Sequence, residues 1–113
     1  MPFIHTKTNR PISPEAEKEL TKELGRAVSL LGKSESWLML QFEDGCRLAF
    51  RGKADQPLAF VNVRLYGAPE ADACSRFTAR VTDLLCHTLS LDPSGVYVAY
   101  FGTENWGWQG ENF

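Results

Sequence analysis

Cysteine is scarce in this chain, and the little present forms no simple staple. Cys46, Cys74 and Cys86 leave an odd count without a close pair, so free buried thiols are expected, not a disulfide framework or a thiolate metal site. Histidine is confined to His5 and His87, isolated from each other and from any nucleophile–base–acid set. No glycine-rich phosphate loop occurs: "FRGKADQP" lacks the strand–loop–helix context such a loop needs. No apolar run approaches the ~18 residues of a membrane span. An excess of one charge is missing too. With 12 Lys and Arg against 14 Asp and Glu, a net charge of −2 gives no electrostatic reason to expect nucleic acid or an anionic membrane as partner. No basic, apolar, small-residue series resembles a signal peptide, so the expected compartment is the cytoplasm.

What is present suits one soluble domain over residues 1–113. The composition, 43% hydrophobic and 23% charged, is ordinary for a globular chain, and this length buries roughly two-thirds of its unfolded surface. The chain opens "MPFI", with a proline directly behind the methionine and no polar lead-in. Chain starts fray unless something ties them down. Residues 3–8, "FIHTKT", read as a first strand that holds Pro2 where a core begins.

A helix follows. Ser13 suits its cap, Pro14 its first turn, and Glu15 and Glu17 complement its dipole. Ala16, Leu20, Leu24, Ala27, Val28 and Leu31 fall along one face, and Gly32 supplies the stop. Residues 37–42, "WLMLQF", read as a second strand, and "EDG" then turns the chain so that residues 46–50, "CRLAF", return as a short hairpin arm. After a polar break the order repeats. Residues 58–66 alternate, with Ala59, Val61, Val63 and Leu65 on one face and Asn62 and Arg64 on the other. A helix over residues 71–89 carries the apolar stripe Ala73, Phe77, Val81, Leu84 and Leu85. Pro93 cannot continue it, and residues 95–101, "GVYVAYF", form a further strand.

The predicted class is α+β: two βαβ units forming a four-stranded mixed sheet with both helices on one face, plus short extra strands. No third helix remains for the opposite face. The remaining "GTENWGWQGENF" is glycine-rich yet too aromatic to stay in solvent. A neighbouring copy of the chain is the economical cover, so an oligomer is expected.

With these pieces placed, the chain resembles the macrophage migration inhibitory factor family of the tautomerase superfamily. The resemblance runs over the whole length and rests on "MPFIHTKTN", "LGKSESWL", "LAFRG", "GVYVAYF" and "NWGWQGENF". It implies a homotrimer whose sheets face a central channel, with active sites at the subunit boundaries. It implies a keto–enol tautomerase acting on small α-keto acids such as phenylpyruvate, without metal or organic cofactor. The alternative it leaves open is a cytokine-like, receptor-binding protein with vestigial catalysis, released without a signal peptide.

On this reading, loss of Met1 turns Pro2 into a secondary amine. An α-amino group starts near neutrality, and apolar surroundings plus a nearby cation lower its pKa, which suits a base that removes a proton beside a ketone. The plainer role of Pro2 is to stiffen the first strand. Lys33 follows the helix-ending Gly32, where a cation also answers the helix dipole; the resemblance makes it the carboxylate anchor. Tyr66 falls where the family uses a backbone N–H for the other carboxylate oxygen. Arg64, where a histidine is common, adds a second positive charge at the mouth or is simply solvated. Tyr97 matches a tyrosine supplied by a neighbouring subunit. Phe3, Trp37, Trp106, Trp108 and Phe113 form an aromatic wall or serve subunit packing.

Two departures from the family pattern stand out. Ala99 replaces the asparagine that meets a phenolic hydroxyl, which weakens any expected preference for hydroxylated aromatic substrates. Leu58 and Val61 stand at the positions of a Cys-x-x-Cys pair, so a dithiol–disulfide activity has no residues to use.

Overall fold

Backbone pairing begins at Pro2 in the computed structural model, which describes residues 1–113. Strand β1 (Pro2–Thr8) buries alternate residues Pro2, Ile4, Thr6 and Thr8, the period-2 pattern of a strand covered on one face. Helix α1 (Pro14–Ala27) starts where Ser13 Oγ accepts the Ala16 N–H at 3.0 Å. The chain then tightens into a 3-10 turn, Val28–Leu31, and stops at Gly32 with φ 70°. That left-handed conformation is available to glycine at little steric cost.

The second strand begins later than its sequence suggests. Trp37 lies in a 3-10 turn, Glu35–Trp37, because Ser34 Oγ caps the Ser36 N–H and Leu38 N–H reaches Glu35 O. Strand β2 (Met39–Glu43) follows. The expected hairpin arm at residues 46–50 does not form a strand; only an isolated bridge between Phe50 and Lys53 appears. Cys46 N–H bonds Thr8 O, Gly45 N–H bonds Arg10 O, and Asp44 Oδ2 accepts the Ile12 N–H. These bonds carry the chain across the end of β1, away from a return along β2.

Strand β3 (Ala59–Tyr66) and helix α2 (Ala71–Leu89) come next. Asp92 caps a short turn before strand β4 (Val96–Thr103). Strands β5 (Gly107–Trp108) and β6 (Glu111–Asn112) make a small antiparallel pair at the chain end. The main sheet has the order β2-β1-β3-β4, parallel within each βαβ unit and antiparallel where β1 meets β3. The four-stranded mixed sheet and two helices match the α+β architecture expected from the repeat of strand and helix.

The core lies between one sheet face and both helices. Ile4, Val61, Val63 and Leu65 from the sheet meet Leu20, Leu24, Phe77, Val81 and Leu85. Glu23 ties the helices at their surface, accepting from Arg26 of its own helix and Arg80 of α2. The other sheet face is open. It presents Phe3, Arg64, Met39, Tyr97 and Phe101, of which Met39 is 67% and Tyr97 57% exposed.

Candidate active site

The start of β1, the end of β3 and the turn after α1 converge at one end of the sheet. In register, Pro2 faces Leu65 and Phe3 faces Arg64. Tyr66, last in β3, donates its N–H to the Met1 carbonyl at 3.2 Å. Across antiparallel strands a residue points its N–H and C=O to the same side, so the Tyr66 carbonyl also faces the N-terminus. Lys33 Nζ donates to that carbonyl at 2.8 Å. The sharp stop at Gly32 is what aims Lys33 there, since the chain leaves the helix in a left-handed turn and passes the sheet end.

The electrostatics agree with this placement. The Met1 α-amino group is held below its usual pKa, first because burial disfavours the charged form and second because the Lys33 ammonium repels it. With Met1 in place the Pro2 nitrogen is an amide, its lone pair delocalised into the Met1 carbonyl. A cavity of about 350 Å³ opens beside the Lys33 stem, lined by Leu31, Gly32, Lys33, Tyr66, Pro69 and Arg76 among others. Pro2 and Phe3 do not line it, so it adjoins this convergence from the helix side.

The aromatic residues divide into groups. Phe113 meets Tyr66 edge-to-face at 5.3 Å, and its N–H bonds the carbonyl of half-buried Trp106. The small β5–β6 pair thereby lays the chain end against the residue that Lys33 holds. Trp37 and Trp108 form their own edge contact at 4.9 Å. Phe3 sits on the open face, 6.1 Å from the His5 ring. Arg64 lies over the Phe101 ring, 5.1 Å from its centroid.

Tyr97 does not join them. It pairs in register with Phe60, five residues along β3 from Leu65, which places it about 17 Å from Pro2 at the rise of a strand. There it contacts Phe50 and Phe60. Within one chain, the expected residues are brought to the same end of the sheet except this tyrosine.

The structure also corrects the view of His5 as isolated: its Nε2 and Glu43 Oε1 lie 2.5 Å apart on the open face. Only the parallel pairing of β1 with β2 creates that contact. Phe101 as the support of Arg64, and the Met1 carbonyl on the Tyr66 N–H, were equally absent from the sequence reading. Alternation alone puts Arg64 and Tyr66 on one face but names no cross-strand neighbour.

The family model for macrophage migration inhibitory factor matches residues 1–113. The chain belongs to the macrophage migration inhibitory factor family. Solved structures agree with that membership. The crystal structure of Leishmania major MIF2 is similar at 27% identity and a TM-score of 0.93, over 100% of this chain and 97% of that one. The macrophage migration inhibitory factor homologue from Prochlorococcus marinus shares the fold at 24% identity and a TM-score of 0.88, covering 98% of each chain. The macrophage migration inhibitory factor-like protein of Entamoeba histolytica shares it at 21% identity and the same TM-score, over 99% of this chain and 98% of that one. A comparison with curated protein sequences finds no match. Membership places the chain in the tautomerase superfamily.

Proposed function

We propose that the chain is a keto–enol tautomerase for small α-keto acids of the phenylpyruvate type, with the Pro2 amine as its base once Met1 is absent. The observation that carries this reading is the convergence of Lys33, Tyr66 and the N-terminus, with Lys33 Nζ 2.8 Å from the Tyr66 carbonyl. A cation fixed there serves twice. It anchors a substrate carboxylate, and it disfavours protonation of the neighbouring amine, as it does for the amine of Met1.

Removal of Met1 would have two linked effects. It frees the Pro2 lone pair, and it frees the Tyr66 N–H now taken by the Met1 carbonyl. Lys33 and that N–H then present two donors to one carboxylate. The amine takes a proton from the carbon beside the keto group; the C–H electrons form the C=C bond, and the keto oxygen becomes an enolate. The ammonium returns its proton on the oxygen side, which restores the amine. Charge developing on the enolate is stabilised by the fixed donors, most strongly where water is excluded. Phe113, Tyr66, Phe3, Trp106 and the Trp37–Trp108 pair supply the aromatic wall.

Tyr97 enters this scheme from another copy. The open sheet face, with Met39, Tyr97 and Phe101 exposed, favours a homotrimer in which a neighbour brings its tyrosine to the Pro2 end. Mixed subunits test that arrangement, since a Pro2→Gly chain and a Tyr97→Phe chain would complement each other only across a boundary.

The decisive measurement is ketonisation of enol phenylpyruvate by protein whose first residue is verified as Pro2 by mass spectrometry. Turnover that disappears in Pro2→Gly with intact processing supports the mechanism. Equal turnover in that variant would end it.

A further inference from the structure

Lys33 is not the only cation without an acidic partner at the Pro2 end of the sheet. Arg64 and Tyr66 project from the same face of β3, and Arg64 stands opposite Phe3, one step inward from the Pro2–Leu65 pair. The Pro2 end of the sheet thus carries Lys33 at its edge and Arg64 on the open face of the neighbouring strand. Neither cation has a carboxylate partner: the ion pairs of the chain are Arg26–Glu23 and Arg80–Glu23. The acid that shares the open face near β1, Glu43, is taken by His5. The Arg64 guanidinium makes no hydrogen bond to protein and rests over the Phe101 ring. A guanidinium stacked in this way is positioned by the ring and keeps N–H donors for a planar anion.

From this geometry we infer that the site prefers an α-keto acid carrying a second carboxylate, with Lys33 holding the carboxylate next to the keto group and Arg64 receiving the distal one. The inference deepens the tautomerase reading and rests on it. Along β3 the backbone positions of Tyr66, which marks the Lys33 end, and Arg64 are about 7 Å apart, with the flexible guanidinium free to adjust from its place over Phe101. A six-carbon keto diacid reaches across that span with its reacting carbon near Pro2. A monoacid of the same length leaves Arg64 unneutralised and lays a methyl group beside a guanidinium.

The test is exchange at the C3 position in D2O, followed by proton NMR, for 2-oxoadipate and for 2-oxohexanoate, using the protein that begins at Pro2. The two differ only in the distal carboxylate, so the ratio of their kcat/KM values isolates that group. A ratio of roughly two to five in favour of the diacid is expected, the range an exposed ion pair supports, and it should shrink as salt rises. In Arg64→Gln the ratio should fall to about one, and Arg64→Lys should be intermediate because it keeps charge without the planar fork. The ratio within one variant is independent of how much of it folds. Exchange of the monoacid with a ratio at or below one overturns the diacid preference and leaves the base mechanism standing. A ratio that survives in Arg64→Gln overturns the role of Arg64. No exchange with either acid overturns the tautomerase reading, and this one with it.

Discussion

The Met1 carbonyl accepts the Tyr66 N–H at 3.2 Å, so the first residue of the chain occupies a donor at the place where Lys33 converges with the N-terminus. The same residue masks the Pro2 nitrogen as an amide. In the proposed mechanism one short segment thus closes the base and one anion donor together, and both open together when it is absent.

An alanine inserted ahead of Pro2 should therefore silence the enzyme even after methionine removal, because Pro2 stays acylated. Loss of a general base reduces rates by about 10²–10⁴-fold. Phenylpyruvate ketonisation at saturating substrate would read this directly, and full activity of the insertion protein would remove Pro2 from the chemistry.

The pH profile should move when Lys33 is replaced. For the Met1 amine, burial is the larger cause of the lowered pKa and Lys33 the second, and a Pro2 amine uncovered by methionine removal would meet the same ammonium. The proposed mechanism requires the free Pro2 amine, so kcat/KM should rise as pH climbs through its pKa. In Lys33→Ala the burial cause remains and the repulsion disappears, so the rising limb should shift to higher pH while staying below that of an unperturbed α-amine. A weakened KM without any shift of the limb would mean that Lys33 only holds substrate.

Thr6 offers a stability test away from the site. It is fully buried in β1 and its hydroxyl has no partner, a desolvated polar group whose burial is unfavourable. Thr6→Val keeps the branched shape and removes the hydroxyl. Stability to urea should increase by about 1 kcal/mol. Destabilisation instead would indicate a hidden partner for that oxygen.

Gly102 should tolerate no side chain. A Cβ there would collide with the Gly67 carbonyl and meet Pro69 Cδ at 2.9 Å, and both residues belong to the segment that follows Tyr66. Strand β4 packs there closely enough for Gly67 N–H to reach Thr103 O at 2.8 Å. Gly102→Ala should lose about 1–3 kcal/mol, the usual range for forced overpacking, and should impair catalysis as the end of β3 shifts. Unchanged denaturation and turnover would contradict this.

Much of the fold was legible because local signals agreed with one another. The Ser13–Pro14 start, the Gly32 stop and the alternation of β3 each rest on interactions within a few residues. Residues 46–50 carry strand-forming residues in "CRLAF" but form no strand, because Asp44, Gly45 and Cys46 just ahead of them are tied to Ile12, Arg10 and Thr8 far back in the chain. The start of β2 was misplaced for a more local reason, since a serine cap at Ser34 wound Trp37 into a turn. The His5–Glu43 and Arg64–Phe101 contacts had no signal in the sequence, as each joins side chains from different strands.

Composition and periodicity by themselves determined an α+β chain with two strand–helix–strand repeats and one unprotected sheet face, whereas Pro2 and Lys33 stood out only through the family resemblance. They did so because helix caps, glycine stops and apolar alternation act over short distances. Tertiary structure alone decided that Lys33 meets Tyr66 beside the N-terminus, that Arg64 rests on Phe101 without an acid, and that Tyr97 lies at the far end. Those outcomes depend on strand order and register, which bring together residues that are remote along the chain.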